Sequence, residues 1–440
     1  MNIISLINKF PFGNSAQKGF FLYTHLPQGL FQKVEEENFR KTIHFVAKHS
    51  PFYRRKFKES GIDPKRVNSP NDLGEFFTTA EDIRKTPDEF VCSRPDTAFE
   101  TTGTTSKRPK RVYFSRAEIE DAGWAGAVGL WGIGVRPKDR VVSAFDYSFW
   151  VSGPVLQASC RVLGCFHIEA SRMSPDEFYE RVADYHVSVI VGDPSWLLRL
   201  SEIAEKKGTW PIKLMIGGGE NLGEDARRYI EGVWKADFIL SYGQTEAFGA
   251  IGMESLAKDG YHLNEFHNLF EIINPDENGH GELVYTTLNR RVMPLVRYRS
   301  GDITRFAAKP SAARRGSNMP GRRIEKLKGR IDEWTPTAVG NLTSWMFEAI
   351  FDKVPGITQD WQVAVDKRDN KDFIEFRMEA VNDSEQSQIK DRFMVLFKSE
   401  LPDVWKLWQM RLCTLDTKVL PKGTLRTERK LKRILDNRRY

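Results

Sequence analysis

The stretch Thr101-Thr-Gly-Thr-Thr-Ser-Lys-Arg-Pro-Lys110 is the most informative part of this 440-residue chain. It contains five hydroxyl side chains and no hydrophobic anchor. Hydroxyls and free backbone N–H groups suit a polyphosphate, Gly103 lets the backbone approach closely, and Lys107 supplies positive charge. The Walker spacing G-x-x-x-x-G-K-[ST] is absent, which excludes the usual NTPase loop. Taken alone, the stretch also fits a Ser/Thr-rich surface turn.

Around this stretch, between residues 96 and 328, short apolar runs alternate with helical periodicity. Strands are predicted at 140–145, 187–191, 212–216, 238–240 and 282–285, and helices at 175–185 and 194–206. This alternation predicts an α/β domain with mainly parallel sheets, whose loops at the strand ends carry chemistry. Two glycine-containing segments are expected to follow strands in this way, Gly217-Gly-Gly-Glu220 and Tyr242-Gly243.

The two ends of the chain have different patterns. Residues 1–95 are predicted to form a helical lead-in, with an amphipathic helix at 35–49. After the Pro- and Arg-rich segment 309–321, the pattern predicts strands at 361–365 and 373–378, a helix at 384–401 and a strand at 409–415. We therefore expect a large N-terminal α/β domain and a small α+β domain of about a hundred residues, joined near Asp332.

Composition is that of an ordinary globular protein, with 40% apolar and 28% charged residues. The longest nearly apolar run, 123–135, is too short to span a bilayer, and residues 1–13 lack the apolar core of a secretory signal. The four cysteines (Cys92, Cys160, Cys165 and Cys413) show no CxxC pairing. We expect reduced, mostly buried thiols in a cytoplasmic protein that does not bind membranes.

The formal net charge of +7 is concentrated at the C-terminus. Residues 418–440 hold nine of the 66 Lys and Arg residues and two of the 59 acidic residues, so the other 417 residues hold 57 of each. Such a basic end is compatible with nucleic acid, an anionic membrane surface or a solvated terminus. Aromatic residues are not interleaved with it, so we expect no nucleic-acid partner.

Three further motifs follow the hydroxyl-rich stretch in order: Ser241-Tyr-Gly-Gln-Thr-Glu246, Leu295-Val-Arg-Tyr-Arg-Ser-Gly-Asp302 and Gly329-Arg-Ile-Asp332. Together the four resemble the phosphate loop, the Tyr-Gly-x-Thr-Glu motif, the Tyr-Arg-Thr-Gly-Asp motif and the hinge of the adenylate-forming ligases. These enzymes join a carboxylic acid to AMP and then to a thiol or an amine. The motif His49-Ser-Pro-Phe-Tyr53, the stretch 261–302 and the short length are most similar to the phenylacetate–CoA ligase branch. The resemblance spans roughly residues 45–436.

The resemblance implies ATP and Mg²⁺ as cofactors and assigns residues to them. The β and γ phosphates would be held by Thr101, Thr102, Gly103, Thr104, Thr105, Ser106 and Lys107. Adenine and ribose would be bound by Gly218, Gly219, Glu220, Tyr242 (stacked on the base), Gly243, Asp302 and Arg330. Thr245 would bond the α-phosphate, and Glu246 would be the Mg²⁺ ligand. Alone, Glu246 also fits a helix-start carboxylate, and Asp302 a turn residue.

The C-terminal end would supply a catalytic lysine that reaches the α-phosphate and the substrate carboxylate. Lys430 is the best match, although the glycine that precedes this lysine in the branch is missing here. Lys432 and Lys422 are rival candidates. The alternative is a basic tail on a short amphipathic helix, with Leu431, Ile434 and Leu435 packed inward.

The acyl pocket of the family corresponds to Tyr147, Phe149, Trp150 and Phe248. An aromatic wall would suit an aryl or other flat apolar acid, while core packing is the alternative for these side chains. Some relatives carry a cysteine-rich zinc site, but His262 and His267 have no cysteine beside them, so no such site is expected here.

The implied organisation is an N-terminal domain at 1–328, a hinge at 329–333 centred on Asp332, and a small mobile C-terminal domain at 334–440. The implied reaction converts a small carboxylic acid into an acyl-adenylate and then, with CoA, into a thioester. After the hinge, thiol-using relatives have an Arg-Gly pair that is absent from residues 334–341 here. Transfer to an amine or a carrier-protein thiol therefore remains the alternative, followed by an inactive adenylate-binding protein. A homodimer is also left open.

Overall fold

The computed structural model describes residues 15–101, 109–171, 173–308, 319–331, 335–337, 340–368, 371–410, 413–426 and 431–438. The chain divides into two compact units. The N-terminal unit comprises Met1–Asn221 and Ile230–Lys326, and the C-terminal unit comprises Leu222–Tyr229 and Leu327–Tyr440. Each unit has its own sheet and core, described in turn below.

Helices up to residue 234 begin and end at local signals in the sequence. Their bounds are α1 Ala16–His25, α2 Gln28–His49, α3 Pro51–Ser60, α4 Ala80–Lys85, α5 Arg116–Gly132, α6 Ser152–Leu163, α7 Pro175–Val182, α8 Pro194–Lys207 and α9 Glu224–Trp234. Ser115 and Glu118 form a capping box at the start of α5, satisfying backbone N–H groups that lack a helical partner. Gly164 ends α6 in the left-handed conformation that glycine adopts without steric cost. The helices predicted at 35–49, 175–185 and 194–206 are confirmed, although the first begins at Gln28, before the predicted start, and the second ends at Val182.

A mixed eight-stranded sheet forms the centre of the N-terminal unit. The strands up to residue 324 are β1 Thr97–Glu100, β2 Arg111–Phe114, β3 Arg140–Ser143, β4 Phe166–Glu169, β5 Val189–Gly192, β6 Leu214–Gly218, β7 Asp237–Gln244, β8 Gly249–Glu254, β9 Tyr261–Leu263, β10 Asn268–Ile273, β11 Gly281–Thr287, β12 Tyr298–Thr304 and β13 Arg323–Ile324. The large sheet has the order β13-β9-β8-β7-β6-β5-β3-β4. From β4 to β7 all neighbours are parallel, and from β7 to β13 they are antiparallel. The predicted α/β class is therefore confirmed.

The parallel strands lie at the centre of the hydrophobic core of this unit. Every residue of β5 and β6 is buried, and the central strands pack against apolar residues of α5 and α6. Continuous apolar runs are typical of parallel strands covered on both faces, which is why the sequence located them. Two antiparallel elements complete the unit, the hairpin β1–β2 and the ladder β10-β11-β12.

The C-terminal unit is a small α+β structure. Its helices are α10 Ser344–Phe351, α11 Gln386–Glu400 and α12 Pro402–Gln409, and its strands are β14 Gly329–Arg330, β15 Thr335–Thr337, β16 Gly340–Leu342, β17 Ile357–Arg368, β18 Lys371–Ala380, β19 Cys413–Leu420 and β20 Ile434–Asp436. The main sheet has the order β19-β18-β17-β20. An aromatic cluster of Phe351, Phe376, Phe393 and Phe397 lies in its core.

Two details of the C-terminal prediction are wrong. The strand predicted at 409–415 begins at Cys413, because α12 extends to Gln409. The short helix considered around 431–435 is a strand instead, since Ile434–Asp436 pairs in parallel with β17 and buries Ile434 in the core.

All four cysteines are free thiols, with Cys160 and Cys413 buried and Cys92 and Cys165 half-buried. Among the described residues, no helix has both the length and the apolar character needed to cross a bilayer.

Candidate functional site

A buried carboxylate, Glu246, lies at the carboxyl end of the parallel strands. It belongs to the 3₁₀ turn Thr245–Ala247 that follows β7, and it is only 2% exposed. Lys110 forms an ion pair with Glu246 Oε1, and the hydroxyl of Tyr298 donates to the same oxygen at 2.8 Å. Lys110 Nζ also donates to the Tyr298 hydroxyl at 3.0 Å. The three side chains therefore form a closed, hydrogen-bonded triangle.

The charge of this triangle is fixed by its contacts. Burial alone would raise the pKa of the Glu246 carboxyl, but the positive charge and hydrogen bond of Lys110 outweigh it, so the pKa is lowered. Glu246 is consequently ionised at neutral pH. A buried anion of this kind is stable only while a cation balances its charge, and Lys110 is that cation here.

A second carboxylate, Asp302, lies on β12 and is 3% exposed. Its Oδ2 accepts hydrogen bonds from the Tyr242 hydroxyl and, at 2.6 Å, from Gln244 Nε2. Gln244 Oε1 in turn accepts from the Tyr285 hydroxyl at 3.0 Å. The motif around Asp302 is therefore joined by side chains to the motif around Glu246.

The Tyr242-Gly243 pair lies inside β7, and the prediction that it follows a strand is wrong. The strand continues to Gln244 because Tyr242 and Gly243 still pair with β8. Gly218 ends β6, while Gly219, at φ 87°, and Glu220 follow it, and the role of these three residues as a shelf for adenine stays a prediction. Glu220 accepts the backbone N–H of Ser195 at 3.3 Å.

Gly243 is required by the close approach of β8. A Cβ at this position would lie 1.8 Å from the carbonyl oxygen of Gly249, so Gly243→Ala must displace backbone. We expect a loss of about 1–3 kcal/mol in the free energy of unfolding, measured by urea denaturation. The control is Gly232→Ala in α9, where a Cβ would meet nothing within 4 Å. Equal stability of the two variants would contradict the close approach.

The hydroxyl-rich stretch is described only at its ends. The Thr101 N–H donates to the Lys110 carbonyl at 3.0 Å, and the Lys110 N–H donates to Thr101 Oγ1 at 3.2 Å. The two ends of the stretch, Thr101 and Lys110, are therefore hydrogen-bonded to each other where the stretch joins β1 and β2. This place lies beside the triangle of Glu246, Lys110 and Tyr298. The remaining predicted phosphate ligands, Thr102, Gly103, Thr104, Thr105, Ser106 and Lys107, lie outside the described residues, as do Asp332 and Lys430.

The four aromatic residues assigned to the acyl pocket have different surroundings. Phe248 is buried at φ 62° and packs against Phe114 and His267, with ring centroids 5.9 and 5.3 Å apart. Phe149 is 61% exposed, whereas Tyr147 and Trp150 are half-buried. Their assignment to one wall remains a prediction.

The histidines near this region are neutral. Burial lowers the pKa of both His262 and His267 to about 4. Among the described residues, no group of three or more His, Cys, Asp and Glu side chains is arranged to hold a metal ion.

The C-terminal unit carries the remaining assigned residues that are described. Arg330 is half-buried in β14. The rival lysines Lys422 and Lys432 are both exposed, and the Lys432 carbonyl accepts from Gln362 Nε2 at 3.0 Å.

Four residues of the site were not assigned from the sequence. Three of them lie within the quoted motifs: Lys110, Gln244 and Tyr298. The motifs were therefore the sequence signal that could have pointed to these residues. Arg290, which donates to the Glu246 carbonyl at 2.5 Å, lies outside the four short motifs, although it falls within the stretch 261–302.

Comparison with known proteins finds similar sequences over much of the chain. The family described as AMP-binding enzyme matches residues 63–271. The phenylacetate-coenzyme A ligase of Pseudomonas putida is 28% identical over 362 residues, covering 78% of this chain and 80% of that protein. The phenylacetate-coenzyme A ligase of Escherichia coli strain K12 is 27% identical over 368 residues, covering 79% and 82%.

A solved structure supports the fold over nearly the whole chain. The crystal structure of 2-hydroxyisobutyryl-CoA ligase in the postadenylation state aligns with a TM-score of 0.78 and 20% identity. The alignment covers 94% of this chain and 90% of that one. This chain is therefore similar to the AMP-binding enzymes over residues 63–271, and its similarity to the phenylacetate-coenzyme A ligases over 78–79% of its length supports a ligase.

Proposed function

We propose that this protein activates a carboxylic acid with ATP and transfers the acyl group to CoA. In the first half-reaction, a carboxylate oxygen bonds to the α-phosphorus of ATP, and the bond to pyrophosphate breaks. In the second, the CoA sulfur bonds to the acyl carbon, AMP leaves, and the thiol proton is released. The observation that carries the proposal is the buried, ionised Glu246 paired with Lys110, placed where the hydroxyl-rich stretch rejoins the fold.

The first half-reaction brings two anions together, so the site must supply positive charge and orientation. Lys110 is a cation already held at the site, and the described end of the phosphate loop, Thr101, adjoins it. In our proposal, the loop residues hold the β and γ phosphates and Thr245 contacts the α-phosphate. Lys110 is then free to change partners from Glu246 to phosphate oxygens.

The residues present fit a magnesium ion that arrives with the nucleotide. Glu246 offers one hard carboxylate donor, and no further acidic cluster lies among the described residues. Mg²⁺ commonly binds one or two carboxylates and takes its other ligands from substrate phosphates and water. When bound, the ion would neutralise phosphate charge.

The adenosine half is assigned to the Asp302 network. Asp302 would accept hydrogen bonds from the ribose hydroxyls, with Gly218, Gly219 and Glu220 as a shelf for the base. The contact between Tyr242 and Asp302 supports a role for Tyr242 in orienting this carboxylate in addition to its proposed stacking on the base. Arg330 is retained as a proposed ribose or phosphate contact.

The small C-terminal domain is proposed to serve both half-reactions in turn. One set of side chains does not suit both adenylation and thiol entry, so rotation about the hinge 329–333 would exchange them. Asp332→Pro fixes φ at the hinge residue. We expect it to slow one half-reaction at least several-fold more than the other, measured separately with acid plus ATP and with presynthesised acyl-adenylate plus CoA. Equal losses in a folded variant would assign Asp332 a structural role only.

The substrate is proposed to be an aryl or other flat apolar acid, because aromatic side chains occupy the assigned pocket positions. The missing Arg-Gly pair after the hinge keeps an amine or a carrier-protein thiol as the second candidate acceptor. The free thiols of all four cysteines support action in a reducing compartment such as the cytoplasm.

Mass spectrometry of the products tests this proposal. ATP, Mg²⁺ and a panel of aryl and fatty acids are incubated with CoA, free amines and phosphopantetheinylated carrier protein in parallel. We expect acyl-CoA, formed most rapidly from an aryl acid. An amide or an acyl-carrier product without acyl-CoA would refute CoA as the acceptor, while binding of an acyl-AMP mimic without any product would indicate an inactive adenylate-binding protein.

A further inference from the structure

Arg290 is a buried arginine whose hydrogen bonds go to backbone carbonyls. It lies in the connection between β11 and β12 and is 2% exposed. In the described part of the chain it donates to two carbonyl oxygens and forms no ion pair. Its guanidinium lies over the rings of Phe114 and Phe248, 4.3 and 4.8 Å from their centroids. Burial lowers its pKa to about 10, so it remains charged at neutral pH.

The two carbonyls that Arg290 binds belong to the two chain segments that carry Glu246 and Lys110: the 3₁₀ turn after β7 and strand β2, which follows Lys110 directly. One nitrogen, Nη1, donates to the Glu246 carbonyl at 2.5 Å, and Nη2 donates to the Tyr113 carbonyl at 3.0 Å. Tyr113 lies on β2, three residues after Lys110. A single planar guanidinium therefore fixes the spacing between the backbones that carry the anion and its cation.

The backbone that follows Arg290 is held by hydrogen bonds. Glu118 Oε1 accepts the backbone N–H groups of Arg291 and Val292, at 2.8 and 3.0 Å. The Val292 carbonyl accepts the N–H of Cys92 at 2.8 Å. These contacts anchor the backbone beside Arg290, so its side chain does not simply follow the turn that it binds.

The turn that Arg290 binds has to be held in its conformation by surrounding contacts. Phe248 closes it in the left-handed region, at φ 62°, which a bulky residue adopts only when its surroundings enforce it. Its ring lies beneath the Arg290 guanidinium. Arg290 thus contacts the turn at two points. It donates a hydrogen bond to the Glu246 carbonyl, and its guanidinium lies over the Phe248 ring.

We infer that Arg290 is a positioning residue for adenylation, which sets the place of the Glu246 carboxylate relative to Lys110. The inference rests on the proposed function. Arg290 acts through the backbone of Glu246 and not through the reacting atoms. A displacement of about 1 Å in such a group costs on the order of 10²-fold in rate, and this is the size of effect that the role can have.

Arg290→Met tests the inference, with Arg291→Met as the matched control, because Arg291 is the exposed neighbour. Two quantities are measured on folded protein: the Mg²⁺ dependence of acid-dependent pyrophosphate exchange, and the affinity for ATP with and without Mg²⁺ by calorimetry. For Arg290→Met we expect about a 10- to 10²-fold loss in exchange rate, a higher Mg²⁺ requirement and a smaller effect of Mg²⁺ on ATP affinity. Arg291→Met should match the wild type.

Arg290→Lys keeps the charge but does not span both carbonyls, so its losses should lie between those of the wild type and Arg290→Met. It also provides the comparison if the methionine variant does not fold. An unchanged Mg²⁺ dependence in both assays, whatever the change in melting temperature, would overturn the positioning role. Absence of exchange in the wild type would instead refute the proposed function, and the calorimetric comparison would then decide the inference alone.

Discussion

Glu246→Gln is expected to reduce acid-dependent pyrophosphate exchange by at least about 10²-fold, the scale of removing one preorganised electrostatic group. Glutamine keeps the volume and the hydrogen bond from Tyr298 but removes the charge that balances Lys110. It also removes the hard anionic oxygen proposed to meet the magnesium ion. Exchange is measured at saturating ATP and Mg²⁺, so that weaker binding is separated from slower chemistry.

The same substitution should lower stability, because it leaves the Lys110 ammonium without its carboxylate partner. The double variant Glu246→Gln/Lys110→Met removes both charges and should recover part of that stability while exchange stays low. Asp139→Asn is the control, since Asp139 is also a buried carboxylate paired with a lysine, Lys213, at 2.7 Å. It immediately precedes β3, at the opposite end of the parallel strands, and its loss should leave exchange intact. Normal exchange by Glu246→Gln would remove Glu246 from the proposed site.

Lys430→Ala is expected to cost on the order of 10²-fold or more in adenylation, with a much smaller effect on the second half-reaction. The proposed ammonium offsets charge that builds between the substrate carboxylate and the α-phosphate, so its contribution is made mainly in the transition state. Supplying presynthesised acyl-adenylate with CoA should therefore restore product formation. The two steps are followed by exchange and by thioester formation.

Lys432→Ala and Lys422→Ala are the matched controls, because both lysines are exposed and lie within eight residues of Lys430. Both variants should keep adenylation. A loss in either one, with Lys430→Ala active, would move the catalytic assignment to that lysine. Full activity in all three variants would show that the basic C-terminal end takes no part in the chemistry. Its positive charge would then be explained by binding to a surface partner.

Much of the fold was predictable because fully buried strands have continuous apolar sequences. Strands such as β5 and β6 are buried along their whole length and read as apolar runs. Short elements have no such distinctive sequence pattern. The segment containing Leu431, Ile434 and Leu435 has helical spacing, but pairing with β17 makes Ile434–Asp436 a strand. Tertiary pairing decides such segments, and local periodicity does not record it.

The site was predictable at the level of motifs and not of contacts. Glu246 and Asp302 were proposed as site residues from motif type and order, and their roles stay predictions, but several of the side chains that contact them come from distant parts of the chain. Tyr298 lies 52 residues from Glu246, and Arg290 lies 177 residues from Tyr113. Such contacts follow from the packing of strands that meet only in the folded chain. The contact between the Tyr242 hydroxyl and Asp302 was likewise unpredictable, since it depends on β7 continuing into the motif as far as Gln244.

Acid-dependent exchange of labelled pyrophosphate into ATP is the most direct test of the central claim. It reports formation of an acyl-adenylate without requiring any acceptor, so it is independent of whether CoA, an amine or a carrier protein follows. We predict exchange that requires both a carboxylic acid and Mg²⁺, with aryl acids the most active. No exchange by folded wild-type protein across a broad panel of aryl and fatty acids would contradict the account.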